Sequence, residues 1–150
     1  MVSTCILMLI VTQSAGLFGT SLSALTKSTL RDGINGAISA NIEQVRHDIA
    51  DWKKTATLDG QLQYNPDPAI CQAGTLGQAL LTSSSLSSGT TRVSLTNAPT
   101  KLQGVAINRT VSVDPDNSNL IRISYATADG SPIQVNQSTT LATPAQGWCA

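Results

Sequence analysis

The sequence predicts an α+β fold, in which a long N-terminal helix packs on a C-terminal antiparallel β-sheet. Between Leu22 and Trp52, apolar residues recur at steps of three to five, mostly four, which is typical of a helix with one apolar face. After residue 92 the apolar period changes to two, as in half-buried strands. A chain of 150 residues, 41% of them hydrophobic, is enough for one domain with a core.

Residues 1–26 are predicted to form a membrane anchor helix. They include no charged side chain, and 15 of them are apolar. A stretch of this length and composition can cross a bilayer as a helix. A secretory signal peptide is the alternative interpretation, with residues 5–11 as its apolar core and the Ser-Ala-Gly of residues 14–16 as its cleavage site.

Residues 27–54 are predicted to continue the same helix as an amphipathic segment, because no proline interrupts the chain up to Lys54. The two segments together form one rod from Thr4 to Lys53, roughly 75 Å long at 1.5 Å per residue. A helix of this length is unusual in a globular domain. The rod must therefore bury its apolar stripe either on the C-terminal half of the chain or on neighbouring copies.

Residues 55–92 are predicted to be a loop region. Turn-forming residues occur at 59–60 (Asp-Gly) and at 65–68 (Asn-Pro-Asp-Pro), where prolines disfavour a regular helix or ladder, so we expect a connecting loop at 55–75. The apolar patch at 76–81 fits either a helical turn or a strand. The serine-rich stretch 83–91 is typical of a flexible loop.

Residues 93–150 are predicted to form an antiparallel sheet. Their alternating apolar positions fall into groups separated by the turn-forming stretches 115–119 and 129–130, which indicates a meander of three or four strands. We expect the apolar face of this sheet to pack on the amphipathic helix. The alternating residues are Val93 and Leu95; Val105, Ile107, Val111 and Val113; Leu120, Ile121, Ile123 and Tyr125; Ile133 and Val135.

Cys71 and Cys149 have two interpretations. A disulfide between them would fit an oxidising compartment and, in the chain-entropy model, would stabilise the fold by roughly 4–5 kcal/mol. The alternative is a pair of buried free thiols in a cytosolic domain. Lys27 and Arg31 follow the predicted anchor and by the positive-inside rule favour a cytoplasmic location. We give the cysteine pair more weight and expect the residues after Lys27 to lie outside the cytoplasmic membrane.

Charge and motif content argue against nucleic-acid binding and against enzymatic activity. Nine Lys and Arg balance nine Asp and Glu and are scattered along the chain, so no basic patch indicates a phosphate backbone as partner. His47 is the single histidine and lies within the long helix, with no GxSxG motif to supply a nucleophile. No Walker loop, GxGxxG or HExxH motif occurs, so we expect no enzyme and no cofactor.

Two polar clusters are possible metal sites with simpler interpretations. Glu43, His47 and Asp51 lie on one helix face, which we interpret as a solvated face with charge pairs to neighbouring basic residues. In the turn after Val113, oxygen-bearing side chains of the kind that calcium prefers come close in sequence. Without the glycine and final glutamate of an EF-hand, this stretch is best explained as a polar turn. Its residues are Asp114, Asp116, Asn117 and Asn119.

The order of these parts resembles that of type IV pilins and of the pseudopilins of type II secretion systems. The resemblance covers the rod of residues 5–52, the cysteine pair, the closing Gly-Trp-Cys of residues 147–149 and the sheet of residues 93–135. Residues 30–53 are similar to the segment that follows the membrane helix in minor pilin-like proteins of cyanobacteria. The family's leader, a short basic segment ending in Gly and followed by Phe, an apolar run and Glu, is absent before Cys5. One explanation is that Met1 is internal and that the leader lies upstream.

The resemblance implies a pilin-like fold and a structural function. Such a subunit sits in the inner membrane by a single helix, with its C-terminal part periplasmic or extracellular, and assembles with other pilin or pseudopilin subunits. The alternative is a membrane-anchored or secreted binding domain of unknown ligand. The resemblance assigns assembly to the apolar stripe of the helix, which comprises Leu17, Phe18, Leu22, Leu25, Leu30, Ile34, Ile38 and Ile42.

Overall fold

The computed structural model describes residues 2–84, 86, 88–93 and 105–149, with side chains from Ala24 onward. Its first element, α1, is a single helix, Val2–Asp51, of 50 residues. At 1.5 Å per residue this helix is roughly 75 Å long. The later elements are β1 (Lys54–Ala56), β2 (Leu62–Tyr64), α2 (Pro68–Ala73), α3 (Leu76–Ser83), β3 (Gly89–Val93), β4 (Ile107–Val113), β5 (Leu120–Thr127), β6 (Asn136–Ala142) and a C-terminal 3₁₀ helix (Pro144–Trp148).

The main sheet is a four-stranded antiparallel meander with the strand order β3-β4-β5-β6. Val111 pairs with Ile123, which in turn pairs with Thr139, so odd-numbered residues of β4, β5 and β6 share one face. This face carries the buried side chains of β4 and β5. The described residues are therefore α+β, with an N-terminal helix and a C-terminal antiparallel sheet.

The core lies between the second half of α1, helix α3 and the odd-numbered face of the sheet. Each fully buried aliphatic side chain contributes about 1.5–3 kcal/mol by its removal from water. This cluster is therefore the main source of stability for the head, which is the part of the chain after α1, from Trp52 to Cys149. The largest buried members of the cluster are Ile34, Ile38 and Val45 on α1, Leu76 and Leu80 on α3, Leu86, and Ile107, Val111, Ile121, Ile123 and Tyr125 on the sheet.

Polar side chains fix the position of α1 on the sheet. The Oδ1 atom of Asn41 accepts hydrogen bonds from the Tyr125 hydroxyl at 2.9 Å and from Nη1 of Arg109 at 3.3 Å. Nearer the N-terminal end of the contact, Nε2 of Gln137 donates to Oδ1 of Asn35 at 2.9 Å. These bonds join α1 to three strands. They therefore fix the rotation of the helix, which apolar packing alone leaves less specified.

The segment 55–75, predicted to be a connecting loop, contains a β-hairpin and a helix. Strands β1 and β2 pair across the Asp59-Gly60 turn, in which Gly60 has a positive φ of 75°. Pro68 occupies the first turn of α2, where its missing N–H is not needed, and the Asp67 side chain caps the helix by accepting from the amide of Ala69. The prediction of a loop was wrong because residues 59–60 form the turn of a hairpin and Pro68 begins a helix. In the sequence, both had been interpreted as ends of regular structure.

The patch at 76–81, for which a helical turn and a strand were both open, is the helix α3. This helix begins against the β4–β5 turn, where the amide of Gly77 donates to the carbonyl of Ser118. A Cβ at position 77 would lie 2.5 Å from the carbonyl oxygen of Leu120. Glycine is therefore required at position 77 for the close approach of the two segments.

The ends of the sheet differ from the sequence-based prediction. The last strand was expected around Ile133 and Val135, but β6 begins at Asn136. Both residues are nevertheless buried, in the chain that leads into the strand. Strand β3 begins at Gly89, inside the stretch predicted to be a flexible loop, and Leu95 lies outside the described residues. Both edge strands are rich in Thr, Ser, Asn and Gln, so their apolar alternation is weak.

Candidate functional site

The apolar stripe of α1 divides into a buried and an exposed part. Ile34 and Ile38 are fully buried in the core, and Leu30 and Ile42 are partly buried against it. Leu25 is 64% exposed. The remaining members of the predicted assembly stripe, Leu17, Phe18 and Leu22, lie outside the residues whose side chains are described.

The length of the helix explains this division. The longest strand, β5, has eight residues and spans roughly 26 Å at about 3.3 Å per residue. A helix of roughly 75 Å extends well beyond a sheet of this size. Leu25, whose side chain is mostly in water, lies N-terminal to the part of the stripe that packs on the core.

Among the residues with described side chains, no helix has an apolar stretch long enough to cross a bilayer. The predicted anchor at 1–26 falls largely on residues 1–23, whose side chains are outside that description.

Cys71 and Cys149 lie at disulfide distance, with their Cα atoms 5.4 Å apart, and are joined by a bond that closes 78 residues of sequence. Cys71 lies on α2, which ends at Gly74 in the left-handed conformation. Cys149 follows the 3₁₀ helix, whose start is set by Pro144. The disulfide thus joins the segment after the hairpin to the end of the chain.

A cavity of about 360 Å³ lies beside this disulfide. Trp148 lies at its edge and is 52% exposed, and the ring of Tyr64 lies 6.2 Å from it, centroid to centroid, at an angle of 55°. The Tyr64 hydroxyl donates to the carbonyl of Ala50 at 2.8 Å, which holds that ring against the end of α1. The other lining residues are Gln63, Asn65, Pro66, Pro68, Cys71 and Cys149.

Sequence reasoning did not find this cavity. Its walls come from residues 63–71 and 148–149, which the disulfide brings together. The one local signal was Trp148 beside Cys149, because a large aromatic ring next to a covalent constraint cannot move far to bury itself.

The turn after β4, considered above for calcium, is organised around Asp114. Its Oδ1 accepts from the amides of Asp116 and Asn117 at 3.0 and 3.2 Å, and its Oδ2 accepts from Nε of Arg122 at 3.0 Å. The side-chain oxygen of Asn117 accepts from the amide of Asn119, whose own side-chain oxygen accepts from the amide of Leu76. These oxygens bind N–H groups of the chain itself, which is the arrangement of a polar turn.

The pKa of Asp114 is set by opposing effects. Burial raises it, but the hydrogen bonds from the Asp116 amide and from Arg122, the positive charge of Arg122 and the Asn117 amide outweigh burial, so the pKa lies below its usual value. Asp116 also faces Arg122, at 3.5 Å, but its side chain is 88% exposed. Asp114 therefore has more contacts that exist only in the folded chain than Asp116 has.

We expect Asp114→Asn to lower the thermal unfolding midpoint at neutral pH. The folded pKa lies below the unfolded value of about 4, so the carboxylate's contribution is complete above pH 4 and is lost as the pH falls through the folded pKa. The difference between variant and wild type, followed by circular dichroism from pH 7 to pH 2, should shrink with acidification. Asp116→Asn is the matched control and should leave the midpoint unchanged; an equal effect of both substitutions would contradict the assignment.

The cluster of Glu43, His47 and Asp51 forms local charge pairs on an exposed helix face. Glu43 binds Arg46 at 2.6 Å, and Asp51 binds Lys54 at 3.4 Å. Nδ1 of His47 lies 3.8 Å from Asp51, and the His47 side chain is largely exposed. Within the described part of the chain, no group of three or more His, Cys, Asp or Glu side chains is placed to hold a metal ion.

Comparison with known proteins adds no family assignment, since no family model, curated protein or solved structure matches the chain. The functional argument therefore depends on the geometry of α1, the disulfide and the cavity.

Proposed function

We propose that this chain is a pilin-like structural subunit of a type IV pilus or of a type II secretion pseudopilus, which assembles through the N-terminal part of α1. The observation that carries the proposal is the mismatch between the helix and the head. Helix α1 has 50 residues, and among those whose side chains are described, from Ala24 onward, the fully buried part of the apolar stripe begins at Ile34. A helix that extends beyond its own core needs either lipid or other subunits to cover its apolar residues.

Two further features support the proposal. The disulfide between Cys71 and Cys149 fits a head that lies outside the cytoplasm, with α1 anchored in the inner membrane. The hydrogen bonds of Asn35 and Asn41 to the sheet fix the position of the head on the second half of α1. Repeated packing of one helix stripe on the next is a heterologous contact that does not close, and it generates a filament.

A photo-crosslinking experiment tests the proposal. A photoreactive amino acid is incorporated at Leu25, the exposed position of the stripe, and at Leu58, a fully exposed position in the β1–β2 hairpin, in the full chain expressed in its own host. Irradiation should produce an adduct with a second copy or with another pilin-like subunit at position 25 and none at position 58. An adduct with lipid alone at position 25 would favour the alternative, in which the helix serves only as an anchor, and would overturn the proposal.

A further inference from the structure

We propose that the cavity beside the disulfide is a binding site for a neutral saccharide, whose ring stacks on the indole of Trp148. The proposal does not depend on assembly through α1. It rests on the exposure of Trp148, the rigidity of its surroundings and the chemistry of the residues that line the cavity.

The exposure of Trp148 differs from that of the chain's second tryptophan. Trp52 is 8% exposed and its Nε1 donates to Oγ of Ser83, so that ring is part of the head's core. Trp148 is 52% exposed and lies open to the cavity. A tryptophan that leaves half of its surface in water gives up much of the stabilisation that burial of so large a ring provides, and exposed aromatic anchors are typical of binding sites.

The surroundings hold the Trp148 ring in place before any ligand arrives. The residue ends the 3₁₀ helix, and the next residue, Cys149, is covalently fixed to α2. On the inner side, Tyr64 supports the indole with its ring and is itself held by its hydrogen bond to Ala50. A ring that is already positioned loses little conformational freedom on binding, which favours affinity.

The lining indicates a neutral ligand with hydroxyl groups. None of the lining side chains is charged, so the cavity offers no partner for a phosphate or a carboxylate. Gln63 and Asn65 are exposed and each supplies an amide with two donors and an acceptor. A pyranose has an apolar face of C–H groups and a rim of hydroxyls. It therefore matches an aromatic ring flanked by amides.

The ring geometry argues against a proline-rich peptide, the other ligand that prefers aromatic surfaces. A proline held between two aromatic rings needs about 7–8 Å between them, twice the usual carbon–carbon contact distance. The rings of Tyr64 and Trp148 are 6.2 Å apart and tilted by 55°, so they contact each other and leave no slot. The exposed part of the Trp148 ring is therefore available for stacking with one flat ring.

Fluorine NMR of the full chain tests the proposal, because the sequence has two tryptophans and hence two resonances after labelling with 5-fluorotryptophan. The protein is kept in a zwitterionic detergent without a sugar headgroup. It is titrated with glucose, galactose, mannose, N-acetylglucosamine, fucose and xylose and with their common disaccharides. At least one of these should shift the Trp148 resonance with millimolar affinity, while the Trp52 resonance stays in place as the internal reference.

Variants separate stacking from hydrogen bonding. Trp148→Ala should abolish binding, read in that case by isothermal titration, and Gln63→Ala and Asn65→Ala should each weaken binding roughly two- to tenfold, the effect of one lost hydrogen bond. An unchanged Trp52 resonance shows that each variant is folded. If no saccharide shifts Trp148 up to 100 mM, or if a polyproline peptide shifts it instead, the proposal is wrong. A Trp148 shift that depends only on protein concentration would assign the ring to contact between copies and would equally overturn it.

Discussion

Ile38→Asp is expected to unfold the head, whereas Leu25→Asp is expected to leave it folded and to prevent assembly. Ile38 is 1% exposed and contacts the centre of the core, so an aspartate there loses the apolar burial and places a carboxylate without a partner. Such a change costs more than about 4 kcal/mol, a large part of the 5–15 kcal/mol that stabilises an ordinary domain. Leu25 has no comparable contact to lose, because its side chain is mostly in water.

The two substitutions introduce the same side chain into the same helix stripe, so they control for each other. Thermal unfolding followed by near-ultraviolet circular dichroism measures the head, and co-purification of partner subunits measures assembly. We expect a native spectrum without partners for Leu25→Asp and loss of the native spectrum for Ile38→Asp. If both variants lose the folded head to the same extent, the stripe is one continuous intramolecular core and the assembly proposal fails.

Removal of the disulfide is expected to have the next largest effect. The bond closes 78 residues, and loss of such a constraint from the unfolded chain destabilises a domain by about 2–5 kcal/mol. The double variant Cys71→Ser, Cys149→Ser should therefore unfold at a markedly lower denaturant concentration. We also expect the Trp148 ring to lose its fixed position, because the segment after Pro144 is then held only by its packing.

Urea unfolding with and without a reducing agent measures this effect. Wild-type protein should shift towards the double variant when it is reduced, and the double variant should not respond to the reductant. Cys5→Ser is the matched control and should unfold like the wild type under both conditions. An unchanged midpoint in the reduced wild type would show that the loop is closed by packing and that the bond adds nothing.

The sequence was most informative where one periodicity dominates. Helix α1 and the central strands β4 and β5 were predictable because their buried positions recur at the period of a helix or of a strand. Strand β6 was displaced in the prediction because an edge strand is mostly solvated and its side chains are polar. Helix α2 was missed because proline was interpreted as a helix breaker, although at the first turn it is favourable.

The apolar stripe of α1 and the cavity at Trp148 also differ in how far the sequence predicts them. The apolar stripe of α1, to which we assign assembly as a proposal, was predictable from the sequence because it belongs to one helix and repeats along it. Its division near Ile34 follows from how far the sheet extends along α1, and strands of five to eight residues already limit that to roughly 17–27 Å at about 3.3 Å per residue. The cavity at Trp148 depends on contact between distant segments, and local patterns do not contain that information.

The disulfide also determines how the head would respond to tension between α1 and the C-terminal end. A pull on these two points is carried by the covalent bond from Cys71 to Cys149, so the loop between them, which covers a sequence separation of 78, cannot be drawn out. At about 3.3–3.6 Å per extended residue, the closed loop contains roughly 260–280 Å of chain that cannot extend under tension. Only the residues from Trp52 to Cys71 can extend, by roughly 70 Å at most. The four-stranded sheet lies inside the closed loop, so its strands are loaded only through their contacts with α1, and Trp148 lies next to the covalently fixed Cys149.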